Sequence, residues 1–349
     1  MSITTVGFFN NKGGVGKTTL VYHLAWMYAD QGKRIVAADL DPQANLTSSF
    51  LEEDRLEEIW TEGSSFRTVH SCVQPIMTGS GDIDCPTLEV FDSELALVVG
   101  DLSLSEYEDQ LSEAWPKCLG GEERAFRVTS AFWRIVQDAG EHHGAELILI
   151  DLGPNLGAIN RAALLATDYV VVPLEADLFS LQGLHNLGPR LRDWRERWRR
   201  CLPECQARDL SLPPGQMHPV GYIVMQHSIR LDRPVRSYER WIERIPSAFH
   251  QDVLGEEEDA KYSVNDDPKC LALLKHYRSL MAMAHENRKP MFHLRSADGA
   301  IGSHLTAARH AGGDFKELAE RIDREIHGHK QPKPGKRRAR KRPSGQTGV

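Results

Sequence analysis

Apolar and polar positions along this chain switch between two periods. Residues 3–9 (ITTVGFF) are a mostly apolar run of strand length, and a glycine-rich turn follows. From about residue 18 to 31 the apolar residues Leu20, Leu24, Met27 and Tyr28 fall on one helical face, and Gly32 stands where a helix stop is favoured. Residues 34–40 (RIVAADL) return to a strand. Strand, helix, strand in about 40 residues is a βαβ unit, which implies a parallel sheet.

The same reading predicts strands at 94–99, 146–150, 169–173 and 220–225, and helices at 52–62, 124–139, 160–166 and 184–201. Further helices are expected around 234–245, 270–284 and 315–326, and 73–86 reads as loop. Strands alternating with helices predict an α/β fold: a doubly wound, mostly parallel sheet with helices on both faces. Residues 1–329 are expected to form one domain with a helical or irregular insertion at about 52–145, and 330–349 a disordered basic tail.

Composition narrows the class. With 41% hydrophobic and 26% charged residues, the chain is neither wholly disordered nor fibrous. No apolar run approaches the roughly 18–20 residues of a membrane span. The start MSITTVGFF has neither the basic nor the long apolar part of a secretory signal. Six cysteines form no CxxC pair, which suits a reducing cytosol, so a cytoplasmic location is expected. The net charge of −7 hides an asymmetry. Residues 330–349 hold eight Lys/Arg and no acid, so the body alone carries −15.

The strongest chemical signal is Lys12-Gly13-Gly14-Val15-Gly16-Lys17-Thr18-Thr19, after a strand and before a helix. Such a loop wraps a polyphosphate with backbone N–H groups, and glycine lets the backbone approach closely. The helix N-terminus adds partial positive charge. Lys17 is placed for the β- and γ-phosphates and the Thr18 hydroxyl for Mg²⁺. Asp151 closes an apolar strand at the sheet edge where α/β proteins bind ligands. Asp39 and Asp41 close another; the alternative for this pair is turn formation before Pro42.

Where a standard phosphate loop has glycine, this chain has Asn11, and Lys12 opens the loop instead. The pattern resembles the deviant Walker A motif, KGGxGK(S/T), of the ParA/MinD family of dimerising ATPases. Asp39-Leu40-Asp41-Pro42-Gln43-Ala44-Asn45 is similar to the family's DxDPQxN motif. Leu149-Ile150-Asp151-Leu152-Gly153-Pro154 is similar to its Walker B, and residues 173–184 (PLEADLFSLQGL) to the loop after the next strand.

The resemblance implies a P-loop NTPase fold with ATP and Mg²⁺ as cofactors. It implies that Asp41 orients the attacking water, that Asp39 and Asp151 support the metal, and that Lys12 crosses a dimer interface to the partner's nucleotide. A contact within the same subunit is the alternative for Lys12. No guanine-reading NKxD motif is present, and Gln226, from its position, is expected near adenine.

Among the family's branches, no bridging cysteine pattern supports an iron–sulfur role. Residues 331–349 contain no Leu, Ile, Phe, Trp or Met, so membrane insertion is not expected. A loop beginning at residue 12 is expected to leave no room for an N-terminal DNA-reading domain. What remains is similar to short partition ATPases that bind DNA nonspecifically as ATP-sandwich homodimers and work with a partner protein that stimulates hydrolysis. The DNA-binding candidates are Arg195 and Arg199 on the helix at 184–201 and Lys336, Arg337 and Arg338 in the tail. In that helix Trp194 and Trp198 continue an apolar stripe and are expected in the core. If DNA is bound, the protein would be nucleoid-associated. The −15 body opposes a polyanion, which keeps open a second reading: a nucleotide switch for a protein effector or cargo without a DNA carrier.

Overall fold

The computed structural model describes residues 2–61, 65–226, 240–257, 262–275, 277 and 279–330. Its centre is a sheet of strands β1 (Thr4–Phe8), β2 (Ile35–Asp39), β3 (Leu88–Val90), β4 (Leu95–Val98), β5 (Leu147–Asp151), β6 (Tyr169–Glu175), β7 (His218–Gln226) and β8 (Cys270–Lys275). They lie in the order β3-β4-β2-β5-β1-β6-β7-β8. Every neighbouring pair is parallel except β3 with β4.

The central strands are near-continuous apolar runs because both faces are covered. Along β5, Leu147 and Leu149 pack with helix α1 (Lys17–Asp30) and the C-terminal helix Ser303–Lys330. Ile148 and Ile150 face the other layer. That layer holds α4 (Val69–Thr78), α5 (Glu108–Lys117), α6 (Glu123–His143), α7 (Ala158–Leu165) and α8 (Leu178–Cys201). Two short helices, α2 (Asn45–Phe50) and α3 (Glu53–Trp60), follow β2. The doubly wound parallel architecture expected from the alternation is the one observed.

Several local expectations are corrected. Residues 73–86 are not all loop: α4 begins at Val69, with Thr68 capping it by accepting from the Ser71 N–H at 3.3 Å. Pro75 inside the helix and Gly79 at its left-handed end disguised it as a turn-rich segment. Residues 270–284 are not one helix. Cys270–Lys275 pairs with β7 as an edge strand, and a helix follows at Ser279–Glu286. A short apolar run fits either period, and the free edge of β7 decides the outcome. The helix expected at 315–326 spans Ser303–Lys330; Gly312 and Gly313 hid its first half. A methyl at Gly312 would lie 3.2 Å from Phe292 Cβ, so the small residue serves close packing there.

The 52–145 stretch is helical and irregular, yet it also supplies β3, β4 and α6 to the sheet and its cover. The helix expected at 234–245 falls largely, and the tail from residue 331 entirely, outside the described residues.

Candidate functional site

The chemistry gathers at the carboxyl ends of β1, β2 and β5. Asp39 and Asp151 are register partners on adjacent strands, and Phe8, the last residue of β1, is opposite Asp151. The loop from Lys12 to Gly16 passes over this edge into α1. Gly14 and Gly16 have φ of +75° and +82°, the left-handed region where a side chain is strained. Neither a side-chain cap nor an acidic residue satisfies the first turn of α1. Its N–H groups therefore point at the loop with their partial positive charge unmatched, the condition for an anion site.

Lys17 is buried under the loop and spans it, donating to the carbonyls of Asn10 and Lys12, both at 3.2 Å. Burial lowers its pKa, while Asp151 and Asp41 act the other way. The Thr18 hydroxyl donates to Asp151 Oδ2 at 2.6 Å. Asp151 is fully buried, and among the described residues its Oδ1 has no hydrogen-bond partner. Burial, then the neighbouring Asp39, raises its pKa well above the carboxylate range.

Asp39 is also fully buried, and burial pushes it up to about 7. Its two oxygens accept from the Thr47 and Asp41 N–H groups at 2.8 and 3.2 Å. It therefore anchors the start of α2. A methyl on Gly100 would sit 2.8 Å from Asp39 Cγ, so only glycine fits against it. Asp41 accepts from the Gln43 N–H at 3.0 Å, and a Cβ at Gly153 would lie 3.1 Å from Asp41 Oδ1.

An orphaned carboxylate oxygen beside a hydroxyl suits a hard, oxygen-seeking cation such as Mg²⁺. Among the described residues no cluster of three His, Cys, Asp or Glu could cage a metal by itself.

Lys12 does not point to open solvent. Its ammonium ion-pairs with Glu175 at the end of β6 and with Asp177, 2.6 Å away, before α8. Lys12 and the Ser180 amide hold the Asp177 carboxyl below its usual range although burial opposes this. Next to Asp177, Leu178 and Phe179 are exposed, Phe179 at 71%.

Asn10 was missed from the sequence. It donates to the Pro173 carbonyl at 2.7 Å and accepts from the Lys12 N–H at 3.0 Å, tying the loop to β6. A Cβ at Gly183 would lie 2.9 Å from Asn10 Oδ1 and 2.8 Å from Asn11 Oδ1, so α8 packs directly against this tie. The Asn10-Asn11 pair before the loop was the available signal.

The remaining expected residues are placed unevenly. Val15 and Gly16 lie in the loop, and the carbonyl of Thr19, in the first turn of α1, accepts from His23 Nδ1 at 2.8 Å. Gln226 ends β7, but its side chain lies outside the described residues. Trp194 and Trp198 are in the core as expected. On α8, Arg195 turns inward and donates to the Met217 carbonyl at 2.7 Å, whereas Arg199 is exposed. Lys336, Arg337 and Arg338 lie outside the described residues.

Residues 3–203 match the family described as AAA domain. The chain is 31% identical over 182 residues to the sporulation initiation inhibitor protein Soj of Bacillus subtilis, covering 52% of this chain and 62% of that one. It is 28% identical over 193 residues to the chromosome-partitioning ATPase Soj of Thermus thermophilus, covering 55% and 63%. A Corynebacterium diphtheriae protein of known structure superposes with a TM-score of 0.70 at 23% identity, covering 94% of this chain and 100% of that one. The chain belongs to the AAA domain family, in its ParA/MinD group. It spans about three fifths of the length of these two curated relatives.

Proposed function

We propose that this chain is a Mg²⁺-dependent ATPase that dimerises on ATP and serves as a nucleotide switch in partitioning DNA or positioning cargo. The observation that carries the reading is the Thr18–Asp151 hydrogen bond beneath the loop, with Asp151 Oδ1 left unpartnered. A nucleotide-bound Mg²⁺ would supply charge neutralisation of the phosphates at that oxygen and hydroxyl. Lys17 would exchange its two carbonyl contacts for phosphate oxygens. Asp41, at the rim of the same edge, would orient the attacking water. Phosphoryl transfer to water asks mainly for such positioning and charge. The relatives' printed names, one a chromosome-partitioning ATPase, support this reading.

The exposed Leu178 and Phe179 beside Lys12 support a protein-facing surface at the loop, the place for a second copy of this chain. In that dimer Lys12 leaves Glu175 and Asp177 for the partner's nucleotide. Residues 1–329 act as one domain, and the setting is the cytoplasm; no described helix is long and apolar enough to cross a membrane.

One observation favours the second reading, an effector switch without DNA. Most α8 arginines are engaged: Arg192 and Arg195 with backbone carbonyls, Arg197 with Asp193 and Arg200 with Glu196. Fluorescence anisotropy on random duplex DNA, with and without ATP, separates the two. ATP-dependent binding near 100 mM salt, on the order of physiological screening, supports the DNA carrier; its absence moves the effector reading forward.

A further inference from the structure

Residues 102–117 carry no motif, yet they reach the site. Glu108, the first residue of α5, presents its carboxylate to the N-terminus of α7. Its Oε1 accepts from the Ala158 N–H at 2.6 Å and its Oε2 from the Ile159 N–H at 2.8 Å. The residue preceding α7 is Gly157, which has no side chain to cap with, so the cap comes from another helix. The fit is close: a Cβ at Gly157 would lie 2.8 Å from Glu108 Oε1. Ala158 and Ile159 are buried, so water is a poor substitute for the carboxylate.

α7 ends the segment that begins at Asp151. Asn160 Nδ2 donates to the backbone and side-chain oxygens of Asn155, both at 2.9 Å. A Cβ at Gly153 would lie 3.2 Å from Asn160 Nδ2 and 3.1 Å from Asp41 Oδ1. The Gly153 backbone is thus wedged between α7 and Asp41, and a shift of α7 would be felt at both aspartates. α5 is itself held: Trp115 stacks on Trp198 of α8 at 6.0 Å, and the Arg161 guanidinium of α7 lies 4.5 Å over the Trp115 ring.

We propose that Glu108 is a positioning residue for hydrolysis: by fixing α7 it sets the 151–157 segment against Asp41. The inference rests on the ATPase reading. A carboxylate shared by two N–H groups at a helix N-terminus is favoured by both charge and helix dipole. A small displacement of groups that orient water costs rate more than binding.

The test uses the full chain with Glu108→Ala, Glu108→Gln and, as control, Glu113→Ala on the exposed side of the same helix. ATP affinity is measured with a fluorescent analogue and turnover by phosphate release. The expected result is a fall in kcat of about 10- to 100-fold for Glu108→Ala, a smaller fall for Glu108→Gln, unchanged ATP affinity, and an unaffected control. Should Glu108→Ala fail to fold, Glu108→Gln and Gly157→Ala, which pushes a methyl at the carboxylate, are expected to show the same split. Unchanged kcat overturns the role. So does a parallel loss of kcat, affinity and melting temperature, the mark of a merely structural cap. A wild type without turnover overturns the ATPase reading together with this role. Normal wild-type turnover with variants equal to it overturns the role alone.

Discussion

The Lys12 ammonium lies 2.6 Å from the Asp177 carboxylate of its own chain and also pairs with Glu175. Lys17, five residues on, instead points under the loop to backbone carbonyls. Two lysines of one loop therefore occupy different electrostatic settings. One is matched by carboxylates on β6 and the start of α8; the other is buried beneath the loop against backbone carbonyls.

Lys17→Ala should weaken ATP binding more than it weakens the fold. The lost group makes charge-assisted contacts worth about 1.5–3 kcal/mol, or roughly 10- to 150-fold in affinity. Titration with a fluorescent ATP analogue measures this directly. Unaltered affinity would remove Lys17 from the site.

Gly188→Ala should destabilise the protein despite the better helix propensity of alanine. In an exposed helix interior the change gains about 0.8–1 kcal/mol. Here the new Cβ would lie 1.8 Å from the Asp252 carbonyl oxygen and 2.7 Å from Val253 Cα, and backbone cannot swing aside. Arg192 bonds the Asp252 and Val253 carbonyls and fixes this backbone further. Overpacking of this kind costs about 1–3 kcal/mol, so the net change should be a loss, seen as a lower midpoint in urea. An equal or higher midpoint would show that α8 can move away from the 249–254 turn.

Much of this arrangement was legible in the sequence. The apolar runs at 3–9, 34–40 and 146–150 located the central strands, and the glycine loop was found where the sequence put it, between β1 and α1, because a buried parallel strand and a loop with Gly-Lys-Thr have few other uses. Other features depend on neighbours distant in sequence. Glu175 and Asp177 stood in a quoted motif, yet nothing local says that they pair with Lys12, more than 160 residues earlier. Nor does the arginine-rich pattern of α8 show that Arg195 is drawn inward to the Met217 carbonyl. The strand Cys270–Lys275 was misread because the unpaired edge of β7, rather than its own periodicity, makes it a strand.

A buried histidine should give the protein a pH-dependent stability. His250 lies with Nδ1 2.7 Å from Glu256 and Nε2 3.0 Å from Asp267, which also accepts from the Tyr222 hydroxyl at 2.7 Å. Burial disfavours its charge, but the two carboxylates outweigh it and raise its pKa above 6.5. A raised histidine pKa gives stability that is fully present below the unfolded value, about 6.5, and is lost as pH rises through the folded value. Relative to a His250→Gln variant, the wild-type melting temperature should fall as pH rises from about 6.5 upward. A constant difference across that range would mean that the imidazole does not titrate with folding.

The division of labour between Lys12 and Asp41 leads to a complementation experiment. If Lys12 acts across a dimer, Lys12→Ala should still bind ATP through the Gly13–Thr19 backbone and Lys17, while losing ATP-driven dimerisation and turnover. Asp41→Ala should bind ATP and dimerise without hydrolysis, since it removes only the group that orients water. In a mixed dimer, the Asp41→Ala subunit supplies its Lys12 to the site that keeps Asp41. That one site should regain turnover although neither homodimer has any. A role for Lys12 within its own subunit gives no rescue, because each subunit then carries an internal defect. Co-purification of the untagged variant through an affinity tag carried by the other alone, in the presence of ATP, establishes that the mixed dimer forms. A verified mixed dimer that stays inactive would contradict the trans assignment and leave Lys12 to its contacts with Glu175 and Asp177.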